Sequence, residues 1–174
     1  MSGHSKWSQI KHRKEITDQK KGQIFSKLAK KISIAALEGA DPSANYKLQS
    51  VIEEARTMNM PKENIERAIK RASDKDTAAF NKIIVQAMGP AGIAIVVEGA
   101  TDNKNRAINE IKHTLAENGF KMVPENSLNW MFGPNWIAHT QLEVNDTAVQ
   151  QKLDKLFEEL SSNADVENVH TNLR

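Results

Sequence analysis

"KIIVQAMGPAGIAIVVEGATDNKNRAINEIKHTLAENG", residues 82–119, decides the fold, because the hydrophobic period changes inside it. "KIIVQAM" and "GIAIVVEGA" are rich in β-branched residues and are joined by "GPAG", which reads as a hairpin turn. The next segment has helical spacing: Asp102 stands at the cap position, Ile108, Ile111 and Leu115 share one face, and Gly119 closes the helix. Downstream, "SLNWMF" (127–132) alternates Leu128, Trp130 and Phe132, and "GPN" turns the chain into "WIAHTQLEV" (136–144). A second helix carries Val149, Leu153, Leu156, Phe157 and Leu160, and "VENVHTN" supplies a last strand. From residue 92 the expected order is strand, helix, strand, strand, helix, strand. That is the ferredoxin-like split pattern, with one extra strand ahead of it and both helices on one face of the sheet.

Upstream, three amphipathic segments predict a small helical domain. "QIFSKLAKKISIAALEG" places Ile24, Phe25, Leu28, Ile32, Ala35 and Ala36 on one face, with Lys27 and Lys30 pointing away, and Gly39 and Pro42 end it. "ANYKLQSVIEEARTMN" repeats the pattern through Leu48, Val51, Ile52, Ala55 and Met58. "MPKENIERAIKRAS" opens on Pro61, which suits a first helical turn, and turns Ile65, Ala68, Ile69 and Ala72 inward. The predicted organisation is a basic flexible arm (1–21), a helical domain (22–75) and a ferredoxin-like α/β domain (76–174), an α+β protein overall. No internal repeat or low-complexity tract is apparent.

Charge is strongly polarised. Residues 1–31 hold nine Lys or Arg against Glu15 and Asp18, residues 32–75 are balanced at seven each, and residues 76–174 hold eight basic against thirteen acidic. Such asymmetry favours a polyanionic partner. The chain of 174 residues has no Cys, which excludes disulfides, thiolate metal sites and a Cys nucleophile. With no membrane-length apolar run and no signal-peptide core, a soluble, intracellular protein of the cytoplasm is expected.

No catalytic pattern emerges. His4, His12, His113, His139 and His170 fall in no metal-binding spacing, and "GPAG" joins two strands, so its glycines make a turn and do not cradle phosphate. No enzyme activity, metal, cofactor or small-molecule substrate is expected. Nucleic-acid binding is the reading the arm favours. His4, Lys6, Lys11, His12, Arg13, Lys14, Lys20 and Lys21, followed by Lys27 and Lys30, can neutralise phosphates, and Trp7 offers a flat surface for an unpaired base. A second candidate is Asn103, Lys104, Asn105 and Arg106, where a strand runs into a helix N-terminus that favours an anion. Its plainer reading is a capped polar turn. The mixed charges of Lys62, Glu63, Glu66, Arg67, Lys70 and Arg71 read as a solvated face.

"GHSKWSQIKHRK", "MNMPKENIERAIKR", "GPAGIAIVVE" and "TDNKNRA" resemble, in order, the signature segments of the YebC/PmpR family. The resemblance covers residues 1 to about 132 and returns at "AVQQKLDKLFEELSSNADVENVH". It implies a non-enzymatic regulator of gene expression. Members are described as DNA-binding transcriptional regulators or as translation factors that relieve stalled ribosomes, and mitochondrial relatives as translational activators of cytochrome c oxidase. The resemblance also implies a third α/β domain between "NWMF" and "LEVND", where this chain has only "GPNWIAHTQ". Roles resting on that domain do not carry over. A signature beginning at Met1 leaves no room for a presequence and points to a bacterial cytoplasmic member. The partner expected first is ribosomal RNA or the ribosome, with duplex DNA as the alternative and no membrane.

Overall fold

The computed structural model describes residues 18–73 and 80–174, which fall into two compact units that divide at Phe80 and Asn81. In the first, helices α1 (Asp18–Ala36), α2 (Tyr46–Thr57) and α3 (Lys62–Ser73) surround Leu28, Ile32, Leu48, Ile52, Ile65 and Ala68. These are the inward positions expected from the 3.6-residue period. The polar residues between the helices are as specific as the apolar ones. Asn45 caps α2 by accepting from the Leu48 N–H at 3.1 Å, while its amide donates to the carbonyls of Ala35 and Gly39, both at 2.8 Å. One side chain thus starts α2 and satisfies the end of α1. The buried Ser33 hydroxyl donates to the Ala68 carbonyl at 2.8 Å and ties α1 to α3. In the connection, the Ser43 hydroxyl and backbone N–H both donate to Asp41 and hold its carboxyl below the usual range.

One boundary differs from expectation. Residues 18–21, assigned to the flexible arm, already belong to α1. The stretch "DQKK" contains no apolar residue, so the start of the helix leaves no hydrophobic signal.

The second unit is a four-stranded antiparallel sheet in the order β3-β1-β2-β4, from β1 (Asn81–Met88), β2 (Ala94–Thr101), β3 (Lys121–Val123) and β4 (Val166–Thr171). Helices α4 (Lys104–Glu117) and α5 (Thr147–Ser162) cover one face, burying Ile83, Val85, Ile95 and Val97 against Ile111, Leu115, Leu156 and Phe157. The α+β class and the two-helix layer are as expected. The strand count is not: residues 127–132 and 136–144 form no strands, and the third strand is the short run 121–123.

The reason lies in the spacing of Leu128 and Phe132. Positions i and i+4 share a face in a chain of turns as well as in a strand, and here Ser127, Asn129 and Met131 each donate to the carbonyl three residues earlier. Both side chains enter the second face of the sheet, against Ala94 and Val96, while Trp130 between them is 75% exposed. Gln86, buried in β1, locks this segment by accepting from the Leu128 N–H at 2.9 Å and donating to the Asn129 side chain at 3.1 Å. "GPAGIA" (89–94) and "GPNWIA" (133–138) then make the same turn. In each, the Gly N–H donates to the Ile carbonyl four residues on, at 2.8 and 2.7 Å, around two residues with positive φ. The resulting 132–138 hairpin keeps only a single bridge, Phe132 to Ala138.

Two glycines test this packing in opposite senses. Gly99 sits where β2 pairs irregularly with β4, and a Cβ there would collide with the Asp165 carbonyl oxygen. Gly99→Ala is expected to destabilise by about 1–3 kcal/mol, the usual cost of overpacking. Gly22 lies inside α1 with open space around the Cβ position, so Gly22→Ala is expected to stabilise by about 0.5–1 kcal/mol. Urea unfolding of the full chain checks both.

Candidate nucleic-acid interface

Six cationic or titratable candidates, His4, Lys6, Lys11, His12, Arg13 and Lys14, and the aromatic candidate Trp7, lie outside the described residues. The described part of the basic segment is α1. There Lys20, Lys27 and Lys31 recur at spacings of seven and four, which puts them along one side of the helix. Lys21 is exposed, whereas Lys20, Lys27 and Lys30 are half-buried, so Lys27 and Lys30 do not simply point away. Half-buried lysines lay their methylene stems on the helix surface. Lys30 Nζ lies 5.3 Å from the centroid of the Phe80 ring, a cation–π contact that orients it. Lys31 lies 3.5 Å from both carboxylate oxygens of Glu54, an exposed contact of small energetic weight.

The turn at 101–106 is built differently. The cap of α4 is Asn103, not Asp102: its side-chain oxygen accepts from the Arg106 N–H at 3.1 Å, and the Thr101 hydroxyl accepts from the Asn103 N–H at 3.0 Å. Asp102 is thereby released to hold Arg106. The guanidinium Nη2 donates to Asp165 at 2.8 Å and to Asp102 at 3.1 Å, with Glu110 3.9 Å from Nε. Asp165 is almost fully buried, and its backbone carbonyl accepts from the Ala100 N–H at 3.1 Å. Arg106 therefore neutralises a buried carboxylate where β4 begins. A phosphate brought to this turn would meet Asp102 and Asp165 as well as the cation. Lys104 and Asn105 remain exposed beside it.

Two polar groupings had no counterpart in the sequence reading. Glu98, on the strand face opposite the helices, accepts from Trp136 Nε1 at 3.0 Å and pairs with His170 Nε2 at 2.7 Å. Gln86 and its loop contacts form the other. The shared "GPxxIA" pattern is the one signal in the sequence that could have found the Trp136 turn, and nothing local in sequence joins Glu98 to His170. Among the described residues there is no group of three or more metal-ligating side chains, and no helix is long and apolar enough to cross a membrane.

Comparison with known proteins bears on the whole chain. Residues 5–75 match the model of the TACO1/YebC protein N-terminal domain, and residues 80–135 match that of the TACO1/YebC second and third domain. A "Probable transcriptional regulatory protein" of Chlorobaculum parvum is 42% identical over 93% of this chain and 66% of its own length. One of the same description from Caldanaerobacter subterraneus is 51% identical over 76% of this chain and 55% of its own length. The chain thus spans between about half and two thirds of the curated relatives it matches. The crystal structure of a conserved hypothetical protein from Aquifex aeolicus superimposes with a TM-score of 0.86, at 26% identity, covering 97% of this chain and 96% of that one.

Arg106→Gln separates a structural from a ligand-binding role. Loss of the pair leaves a buried carboxylate short of a donor, so stability is expected to fall by about 1–2 kcal/mol, with nucleic-acid affinity little changed. Unchanged stability with lost affinity would instead make Arg106 a phosphate ligand.

Proposed function

The chain belongs to the TACO1/YebC family, and on that premise we propose that it is a non-enzymatic, nucleic-acid-binding regulator of gene expression that acts on RNA at the ribosome. The observation that carries the proposal is the concentration of cations in residues 1–31, nine of the twenty-four in the chain. In the part of that segment seen as helix, Lys20, Lys27 and Lys31 line one side of α1. A helix edge of this kind follows a phosphate backbone, and each phosphate neutralised releases a counterion. Lys6, Lys11, His12, Arg13 and Lys14 extend the same charge, and Trp7 stacks where bases are unpaired. The 103–106 turn takes a lesser part, through Lys104, Asn103 and Asn105, because Arg106 is engaged with carboxylates.

RNA is preferred over duplex DNA on physical grounds. Reading a major groove takes a helix that presents base-reading side chains, and the outer face of α3 mixes Glu63 and Glu66 with Lys62, Arg67, Lys70 and Arg71. A second reading, a DNA-binding transcriptional regulator, is favoured by the description carried by the relatives.

The test is the salt dependence of binding to a structured RNA and to duplex DNA, for the full chain and for Lys20→Gln/Lys27→Gln. The double variant is expected to weaken RNA binding and to flatten the slope of log affinity against log salt by about 1.4, two single-strand phosphate contacts. Trp7→Ala is expected to weaken RNA binding without changing that slope. Tighter binding to a defined duplex DNA that survives RNA competitor would favour the transcriptional reading.

A further inference from the structure

We infer that Trp130 is a second stacking platform for an unpaired nucleobase, on the sheet unit. The inference rests on the nucleic-acid reading above and extends it to a site which that reading does not use. A four-stranded antiparallel sheet with helices on one face often presents aromatic residues on the other for bases to stack on. Here that face cannot serve. The residues of β1 and β2 that point to it are aliphatic, amide or charged, and Leu128 and Phe132 plug its centre. The segment that closes the face carries an aromatic of its own, pointing the other way: Trp130 is 75% exposed, between residues that are 3% and 4% exposed.

The backbone that presents this indole is fixed from several directions. Leu128 N–H donates to Gln86 and Met131 N–H to the Leu128 carbonyl, both at 2.9 Å, and His139 N–H donates to the Met131 carbonyl at 2.9 Å. A backbone held in this way need not be ordered again when a base stacks on the side chain it carries, which favours binding. The polar residues of the same segment suit a base better than a protein side chain. Asn129, beside Trp130 in sequence, accepts from Gln86 and donates to Asn126, and Asn126 and His139 are the exposed amide and imidazole of the segment. Amides and imidazoles satisfy base edges, whereas an aromatic anchor in a protein interface usually sits within an apolar, water-excluding ring. Stacking also requires no base identity, so the site would take any unpaired base.

The experiment uses the full chain, a labelled single-stranded RNA of about twelve nucleotides and a duplex of equal length. Wild type is compared with Trp130→Ala and Trp130→Phe by fluorescence anisotropy. Because the indole is exposed, both variants are expected to unfold at the wild-type urea midpoint. Trp130→Ala is expected to bind the single strand about tenfold more weakly, Trp130→Phe to recover most of that loss, and duplex affinity and the salt slope to stay unchanged. Equal affinity of Trp130→Ala and wild type for the single strand would overturn the inference and leave the nucleic-acid reading standing. Wild type that binds neither nucleic acid would overturn both. A Trp130→Ala variant with intact RNA affinity that no longer binds a purified ribosomal protein retained by wild type would overturn it in favour of a protein contact.

Discussion

Strand β2 is buried on both of its faces: Ala94, Ile95, Val96 and Val97 have no exposed surface at all. A strand of that kind has to be covered twice, and the rest of the sheet unit follows from it. One cover is the α4–α5 layer, which is regular because helices supply broad apolar faces. The other is the 124–139 segment, which is irregular and enters with two side chains, Leu128 and Phe132. A loop lying on a sheet brings backbone polar groups with it, and these need partners. Gln86 supplies one from within β1, for the Leu128 N–H, and turns within the segment supply others, so a buried amide in an apolar strand helps an irregular cover to hold. The same segment then takes its fixed geometry from the sheet, and Trp130 takes its position from the segment.

Charge is organised on a similar division. In the sheet unit the prominent cations are matched by carboxylates: Arg106 by Asp165 and Asp102, Arg174 by Glu143, Lys155 by Glu159. These contacts hold elements together or dissipate into solvent, and they leave little net positive field. On helix α1, Lys20, Lys27 and Lys31 recur along one side, with Glu54 3.5 Å from Lys31. The cations of residues 1–31 and the acidic balance of residues 76–174 thus polarise the charge of the chain.

Much of this was legible in the sequence wherever one physical cause dominated. The three helices of the first unit follow the 3.6-residue period, and β1, β2 and the turn between them follow β-branching and Gly-Pro. The reading failed where two structures share a signature. Leu128, Trp130 and Phe132 alternate as a strand would, yet only Leu128 and Phe132 are inside, and their four-residue spacing fits successive turns equally well. Asp102 and Asn103 are both good caps, and the choice fell to Asn103 because Asp102 is needed by Arg106, whose main partner Asp165 is 59 residues away in sequence. Gln86 carries no local sign of burial, because its burial depends on a loop 42 residues downstream. Of the candidate interface, the lysines of α1 were visible as charge, while the engagement of Arg106 and the presentation of Trp130 depend on contacts that no local pattern encodes.

Sedimentation with ribosomes separates the proposed action on RNA at the ribosome from the transcriptional reading. Full-length protein is mixed with purified ribosomes and resolved on a sucrose gradient at physiological salt. The protein is expected to travel with the ribosomal particles and to be displaced as salt rises. Protein that stays at the top of every gradient, while protecting a defined promoter duplex from nuclease at the same salt, would rule out action at the ribosome in favour of transcriptional control.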